Sequence, residues 1–166
     1  MSRIPLLAAA LALTLAACDS TGDDWPFPGS EIDAAVGVEV ADAAALADLR
    51  AEWVASRPDG YWLRYETICF CAPLVTDVRV IGGEIAEVRI NGEAAPEDPG
   101  PRALTVLGLY DQAVQAYADA DYALARVRPG TPPLLVSLSV DDVFEIADEE
   151  VSYRVVAYAP LEVAAN

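Results

Sequence analysis

Tyr61-Trp62-Leu63-Arg64-Tyr65-Glu66-Thr67-Ile68-Cys69-Phe70-Cys71 alternates between two sets of side chains. Successive side chains of a strand point to opposite faces, so a period of two predicts a strand with Tyr61, Leu63, Tyr65, Thr67, Cys69 and Cys71 on one side. Tyr61, Leu63 and Tyr65 make that side the core-facing one, which places Cys69 and Cys71 beneath a helix. Arg57-Pro58-Asp59-Gly60 ahead of the run is a breaker. Before the breaker, residues 42–56 have helical spacing: Leu46, Leu49 and Trp53 fall on one stripe, with Asp42 as a plausible N-cap.

Working downstream, Thr76 to Ile81 and Glu84 to Ile90 read as strands joined by Gly82-Gly83, a two-residue hairpin turn. Val78, Val80, Ala86, Val88 and Ile90 are their expected inward residues, and Asn91-Gly92 closes the unit. A proline-rich loop then leads to a second helix with an expected stripe of Val106, Leu107, Tyr110, Val114 and Tyr117. Three more alternating runs follow: Tyr122 to Arg128, Leu134 to Val140 with Leu134, Val136, Leu138 and Val140 inward, and Val151 to Tyr158. Short connections favour antiparallel neighbours. The expected fold is therefore α+β, an antiparallel sheet with two helices packed on one face, in the order αβββαβββ.

The N-terminal residues read as a targeting segment, with basic Arg3, an apolar run from Ile4 to Leu15 and small residues at Ala16 and Ala17. Leu15-Ala16-Ala17-Cys18 resembles the bacterial lipobox. That resemblance implies cleavage after residue 17 and diacylglycerol and fatty acyl (palmitate-type) chains on Cys18. Several acyl chains at about 0.8 kcal/mol per buried methylene would hold such a protein on a membrane almost permanently. The expected organisation is a lipoprotein signal peptide at 1–17, a lipidated tether at 18–38 and one α+β domain at 39–166. The expected location is the extracytoplasmic side of a cell membrane, in the cell envelope or periplasm. Asp19 resembles an inner-membrane retention signal of enteric bacteria. Trp25 and Phe27 stand out in the turn-rich tether; packing on the domain and insertion at the lipid interface both remain open.

The chain carries 10 cations, all arginine, against 27 carboxylates, for a net charge of −17. Such a surface repels phosphate backbones and anionic headgroups, so nucleic-acid binding is disfavoured, while cations and basic partners are not. No histidine is present, which removes the commonest general base and metal ligand. Without lysine, a serine–lysine pair is impossible, and Ser137 and Ser139 fall on the outward face of their strand. Tyr61, Tyr65, Tyr110 and Tyr117 read as core aromatics. No catalytic constellation or cofactor motif is visible.

With Cys18 acylated, Cys69 and Cys71 are the remaining thiols, in a compartment where pairs tend to be oxidised. Residues i and i+2 of a regular strand lie about 6.6 Å apart, near the upper limit for a disulfide, so bridging requires a kink. A disulfide, two buried thiols, and a redox or metal role all stay open. Two thiolates alone do not complete a zinc site. The other cluster is acidic: Asp141, Asp142, Glu145, Asp148, Glu149 and Glu150 join two strands. Its spacing is not an EF-hand loop, so the expectation is a solvated turn, with calcium binding through Asp141, Asp142, Asp148, Glu149 and Glu150 as the weaker alternative.

Trp53, Tyr61-Trp62-Leu63-Arg64-Tyr65, Cys69-Phe70-Cys71, the valine-rich strand with its glycine turn, and Asp148-Glu149-Glu150 before Tyr153 together resemble the bacterial secreted proteins and lipoproteins of the domain of unknown function 6174 family. The similarity spans roughly Trp53 to Pro160. It implies an envelope location and a shared fold, and no activity. The functional expectation is a non-enzymatic, membrane-anchored binding or interaction module with an envelope protein partner. A thiol-redox or oxidative-stress role for Cys69 and Cys71, and a calcium-stabilised scaffold, are the alternatives.

Mass spectrometry of the mature N-terminus is expected to show a diacylglyceryl cysteine at Cys18, and Cys18→Ser should abolish both lipid and membrane retention. An unmodified N-terminus elsewhere would refute this reading.

Overall fold

Asp42 accepts a hydrogen bond from the Ala45 amide and starts the first helix, α1 (Ala43–Ser56). Thr105 does the same for Gly108 at the start of α2 (Val106–Asp119). Each cap satisfies an amide that the first helical turn leaves unpaired, worth about 1 kcal/mol. The computed structural model describes residues 30–95, 100, 103–143 and 150–161. The leader, Cys18, Trp25 and Phe27 lie outside the described residues, as do Glu145, Asp148 and Glu149. Among the described residues no helix is long and apolar enough to cross a membrane.

The strands are β1 (Ser30–Glu31), β2 (Val38–Glu39), β3 (Gly60–Cys69), β4 (Leu74–Ile81), β5 (Glu84–Ile90), β6 (Glu93–Ala94), β7 (Tyr122–Arg128), β8 (Leu134–Asp141) and β9 (Glu150–Pro160). They form one antiparallel sheet in the order β2-β7-β8-β9-β3-β4-β5-β6, with β1 added against β9. Two helices on an antiparallel sheet are as expected. The order departs from αβββαβββ by three two-residue strands, β1 and β2 ahead of α1, and β6 after β5. Ser30 and Glu31 pair with Tyr158 and Ala157, and Val38 with Val127, so the chain meets the sheet from Ser30 onward. Two-residue strands carry no readable alternation.

The chain reverses between β4 and β5 at Gly82 and Gly83, both at positive φ (61° and 90°), the conformation a tight hairpin turn needs and glycine adopts without a Cβ clash.

The core lies between the helices and one sheet face. Leu46 and Trp53 of α1 are fully buried there with Tyr61, Leu63, Tyr65, Val78, Val80, Leu138 and Val155. Trp53 meets Tyr61 edge-on at 5.6 Å, and Tyr158 packs against both rings. The stripe of α2 is rotated from expectation: Val106, Leu109, Tyr110, Ala113 and Ala116 are buried, while Leu107, Val114 and Tyr117 are partly so. The small Ala113 and Ala116 permit close approach, which a reading weighted toward large residues misses. Register shifts correct two strands. At Arg79/Val80 the β4–β5 pairing slips so that Val80 faces Ile85, and Ala86 is exposed rather than inward. At Arg126/Val127 the β7–β8 pairing slips likewise, and Leu135 is buried beside Leu134 and Val136.

Tyrosine hydroxyls supply the polar contacts of this core. Tyr65 accepts from the Leu104 amide (2.8 Å) and Tyr61 from the Val106 amide (3.2 Å), which fixes the start of α2 over β3. Tyr110 donates to the Pro133 carbonyl, and Tyr117 donates to Val40 and accepts from Ala125. Burial raises the Tyr65 hydroxyl from its ordinary value near 10 to about 12, and pushes Tyr61, Tyr110, Tyr153 and Tyr158 up as well.

A raised tyrosine pKa means the folded state holds its proton longer than the unfolded chain, so this stability is present below pH 10 and is lost as pH rises toward and through about 12. Alkaline titration followed by tyrosinate absorbance and far-UV circular dichroism should show Tyr65 and its buried neighbours ionising together with unfolding. Ionisation of Tyr65 itself near pH 10 with the fold intact, read by NMR of its ring resonances, would contradict the burial.

Candidate functional site

The alternation that sends Tyr61, Leu63 and Tyr65 into the core sends Trp62, Arg64, Glu66 and Ile68 to the other face of β3. Among the described residues no helix covers that face. Register builds rows of side chains across it. Arg64 pairs with Asp77, and Asp77 with Arg89; Trp62 pairs with Arg79, and Arg79 with Glu87. Ser137 pairs with Arg126 and Arg154, and Arg154 with Glu66. Much of the arginine of an acidic chain is thus collected on one face.

Asp77 is the most buried polar group there, at 3% exposure. The Arg64 guanidinium grips it with two bonds, Nε to Oδ1 at 2.5 Å and Nη2 to Oδ2 at 3.0 Å. This hydrogen bond is the main cause of a raised Arg64 pKa. Breaking a desolvated pair by removing one partner typically costs about 3–5 kcal/mol, so Arg64 and Asp77 act as a structural clasp between β3 and β4. Arg79 lies 5.4 Å from the Trp62 ring centroid, in cation–π range, and reaches Glu87 at 3.9 Å. Arg154 pairs with Glu66. The clasp and its neighbours went unread in the sequence, although the outward phase of β3 and β4, Arg64 and Glu66 against Asp77 and Arg79, carried the signal.

The cysteines lie at disulfide-bonding distance with Cα atoms 5.0 Å apart. The contraction from strand spacing arises because β3 ends at Cys69 and the chain bends through Phe70 and Cys71. This corrects the expected place beneath a helix: Cys69 is half-buried and Cys71 exposed, since the strand has run past the helices that cover Tyr61 to Tyr65. Phe70, 77% exposed, is carried outward on the bend. Neither Cys69 nor Ile68 faces a cation in register; their partners on β9 are Val151 and Ser152.

Of the acidic cluster, Asp141, Asp142 and Glu150 are described. Asp141 and Glu150 are paired across β8 and β9, with Tyr122 on the other side of Asp141. Asp142 is exposed. Among the described residues no group of three histidine, cysteine or carboxylate side chains is placed to hold a metal. Ser139 and Ser152, next in register, bond to each other through their hydroxyls at 3.0 Å.

The fold is thus a one-sided α+β sheet, with a polar, arginine-bearing face opposite its helices. Residues 45–160 match the model of a family of unknown function, DUF6174, and the chain belongs to that family. No curated protein matches the chain.

Since Cys71 is exposed and the ring it closes is small, a Cys69→Ala, Cys71→Ala double variant is expected to fold, losing at most about 1.6 kcal/mol of loop entropy. Maleimide should label the native wild type rapidly, and only after mild reduction. Collapse of the double variant's cooperative thermal transition would show that the pair is a structural staple.

Proposed function

We propose that this protein is a membrane-anchored envelope lipoprotein acting as a non-enzymatic interaction module, with the face of the sheet opposite the helices docking another envelope protein. The observation that carries the reading is the composition of that face: Trp62 beside Arg79, the half-exposed Arg154 and the exposed Ile68 stand on a rigid sheet. Tryptophan and arginine are the side chains on which protein interfaces most often concentrate their binding energy. Rigid presentation lowers the ordering cost of association. The acidic balance of the whole chain favours encounter with a basic partner. The lipobox-like leader supports the anchor.

A thiol-redox role for Cys69 and Cys71 is the second reading, and the exposure of Cys71 favours it. Against it, reactive thiols sit in electropositive surroundings, and no arginine stands in register with Cys69.

A photoreactive residue placed at Trp62 in cells should give discrete crosslinked adducts, whereas one at exposed Glu52 of α1 should not. Arg154→Ala should weaken the Trp62 adducts by removing an arginine contact while leaving the melting temperature nearly unchanged, because a surface ion pair contributes about 0–1 kcal/mol. Equal adducts from both positions, or none from Trp62, would count against a docking face.

A further inference from the structure

At the end of this face where β3 bends away, a cleft of about 510 Å³ is lined by Tyr122, Ser139, Val140, Asp141, Glu150 and Ser152. Asp141 is only 9% exposed, and its Oδ1 is buried with no hydrogen-bond partner among the described residues. A desolvated carboxylate oxygen without a donor is costly, and native proteins ordinarily pair it. Here the register supplies no cation: Asp141 stands between Tyr122 and Glu150, and the next row holds Leu124, Ser139, Ser152 and Ile68. Arg126 and Arg154 enter only in the row of Ser137, two rows from Asp141 and about 13 Å along the strands. Glu150 adds a second carboxylate facing the same space. The arrangement is complementary to a positive group brought from outside.

We infer that this cleft binds a guanidinium or ammonium group carried by a basic side chain of a partner protein. The inference rests on the reading of the sheet face as a docking surface and names the partner chemistry at one end of it. A bare divalent ion fits less well. Calcium takes six to eight oxygens, whereas among the described residues the cleft offers two carboxylates and a pair of hydroxyls already bonded to each other. An organic cation uses what a metal would not. Ile68, 44% exposed and in register with Ser152, offers apolar contact to a methylene stem. The Asp141 carboxylate takes charge-assisted bonds from the head group, and Glu150 adds attraction from the solvent side.

The test is an amide-resolved NMR titration of the full chain in detergent micelles with three probes: the peptide acetyl-Gly-Gly-Arg-Gly-Gly-amide, its citrulline counterpart, and calcium chloride. The arginine peptide should saturably shift the amides of Tyr122, Asp141, Glu150 and Ser152, and the uncharged, nearly isosteric citrulline peptide should not. Asp141→Asn should weaken the arginine peptide at least ~10-fold, the loss expected for a hydrogen bond to a charged group. If Asp141→Asn disturbs the fold, Glu150→Gln replaces it, expected to weaken binding about 2–5-fold, the size of a surface ion pair. Saturable shifts at these amides from calcium chloride alone would overturn the proposal in favour of a metal site. Shifts spread over the acidic surface and indifferent to both variants would reduce it to general charge attraction, which also overturns it. Trp62 adducts that survive in cells carrying Asp141→Asn, with no peptide binding, would sink the cleft and leave the docking face standing. Peptide binding at the cleft without Trp62 adducts would do the reverse.

Discussion

Tyr61 and Tyr65 reach out of the sheet and accept hydrogen bonds from the Val106 and Leu104 amides at the start of α2. Other arrangements of the core depend on these contacts. A helix start leaves amides without intrahelical partners, and burying them unpaired over a sheet would cost about 1–3 kcal/mol each. With tyrosine hydroxyls meeting the backbone there, α2 lies across β3 and its Ala113 and Ala116 can be buried. Trp53 then closes the other side against Tyr61 and Tyr158, which carries α1 onto the same face. All of this polar chemistry is neutral, so the helix side of the sheet needs no charge.

The consequence is a sheet with two unlike faces. Charge that the core excludes is ordered on the opposite side, where strand register sets Arg64 against Asp77, and Arg154 against Glu66. The Asp77 carboxylate lies under a guanidinium and stays buried without leaving the surface layer. Long arginine stems cover the sheet while their heads remain hydrated, the usual behaviour of amphipathic side chains. Asp141 sits in the same layer, and its row contains no arginine. Among the described residues, the contrast between the clasped Asp77 and an Asp141 whose Oδ1 has no partner sets the cleft apart from the rest of the face.

The bend at Cys69-Phe70-Cys71 follows from the same geometry. The helices cover β3 from Tyr61 to Tyr65, and burial falls away beyond Thr67. Side-chain alternation continues in the sequence after its physical cause, a layer to pack against, has ended. The cysteines therefore keep the phase of the core face and lose its burial.

Period and punctuation in the sequence determined by themselves both helices, the Asp42 cap, the Gly82-Gly83 hairpin turn, the face on which Tyr61, Leu63 and Tyr65 are buried, and the long strands to within a few residues at each end. Those features are local, arising from side-chain spacing and backbone conformation over a few residues. Family membership was legible for a related reason, since its motifs are short runs around Trp53, Tyr61 and Cys69. Only the tertiary structure decided which strands neighbour one another, where register slips at Arg79/Val80 and Arg126/Val127, and that β1 and β2 join the sheet. The same holds for the candidate site. Arg64 is 13 residues from Asp77, and Glu66 is 88 from Arg154, and nothing in one strand records the phase of another. Asp141 read as one acid among many until pairing put it between Tyr122 and Glu150, because burial belongs to the packed sheet and not to the residue.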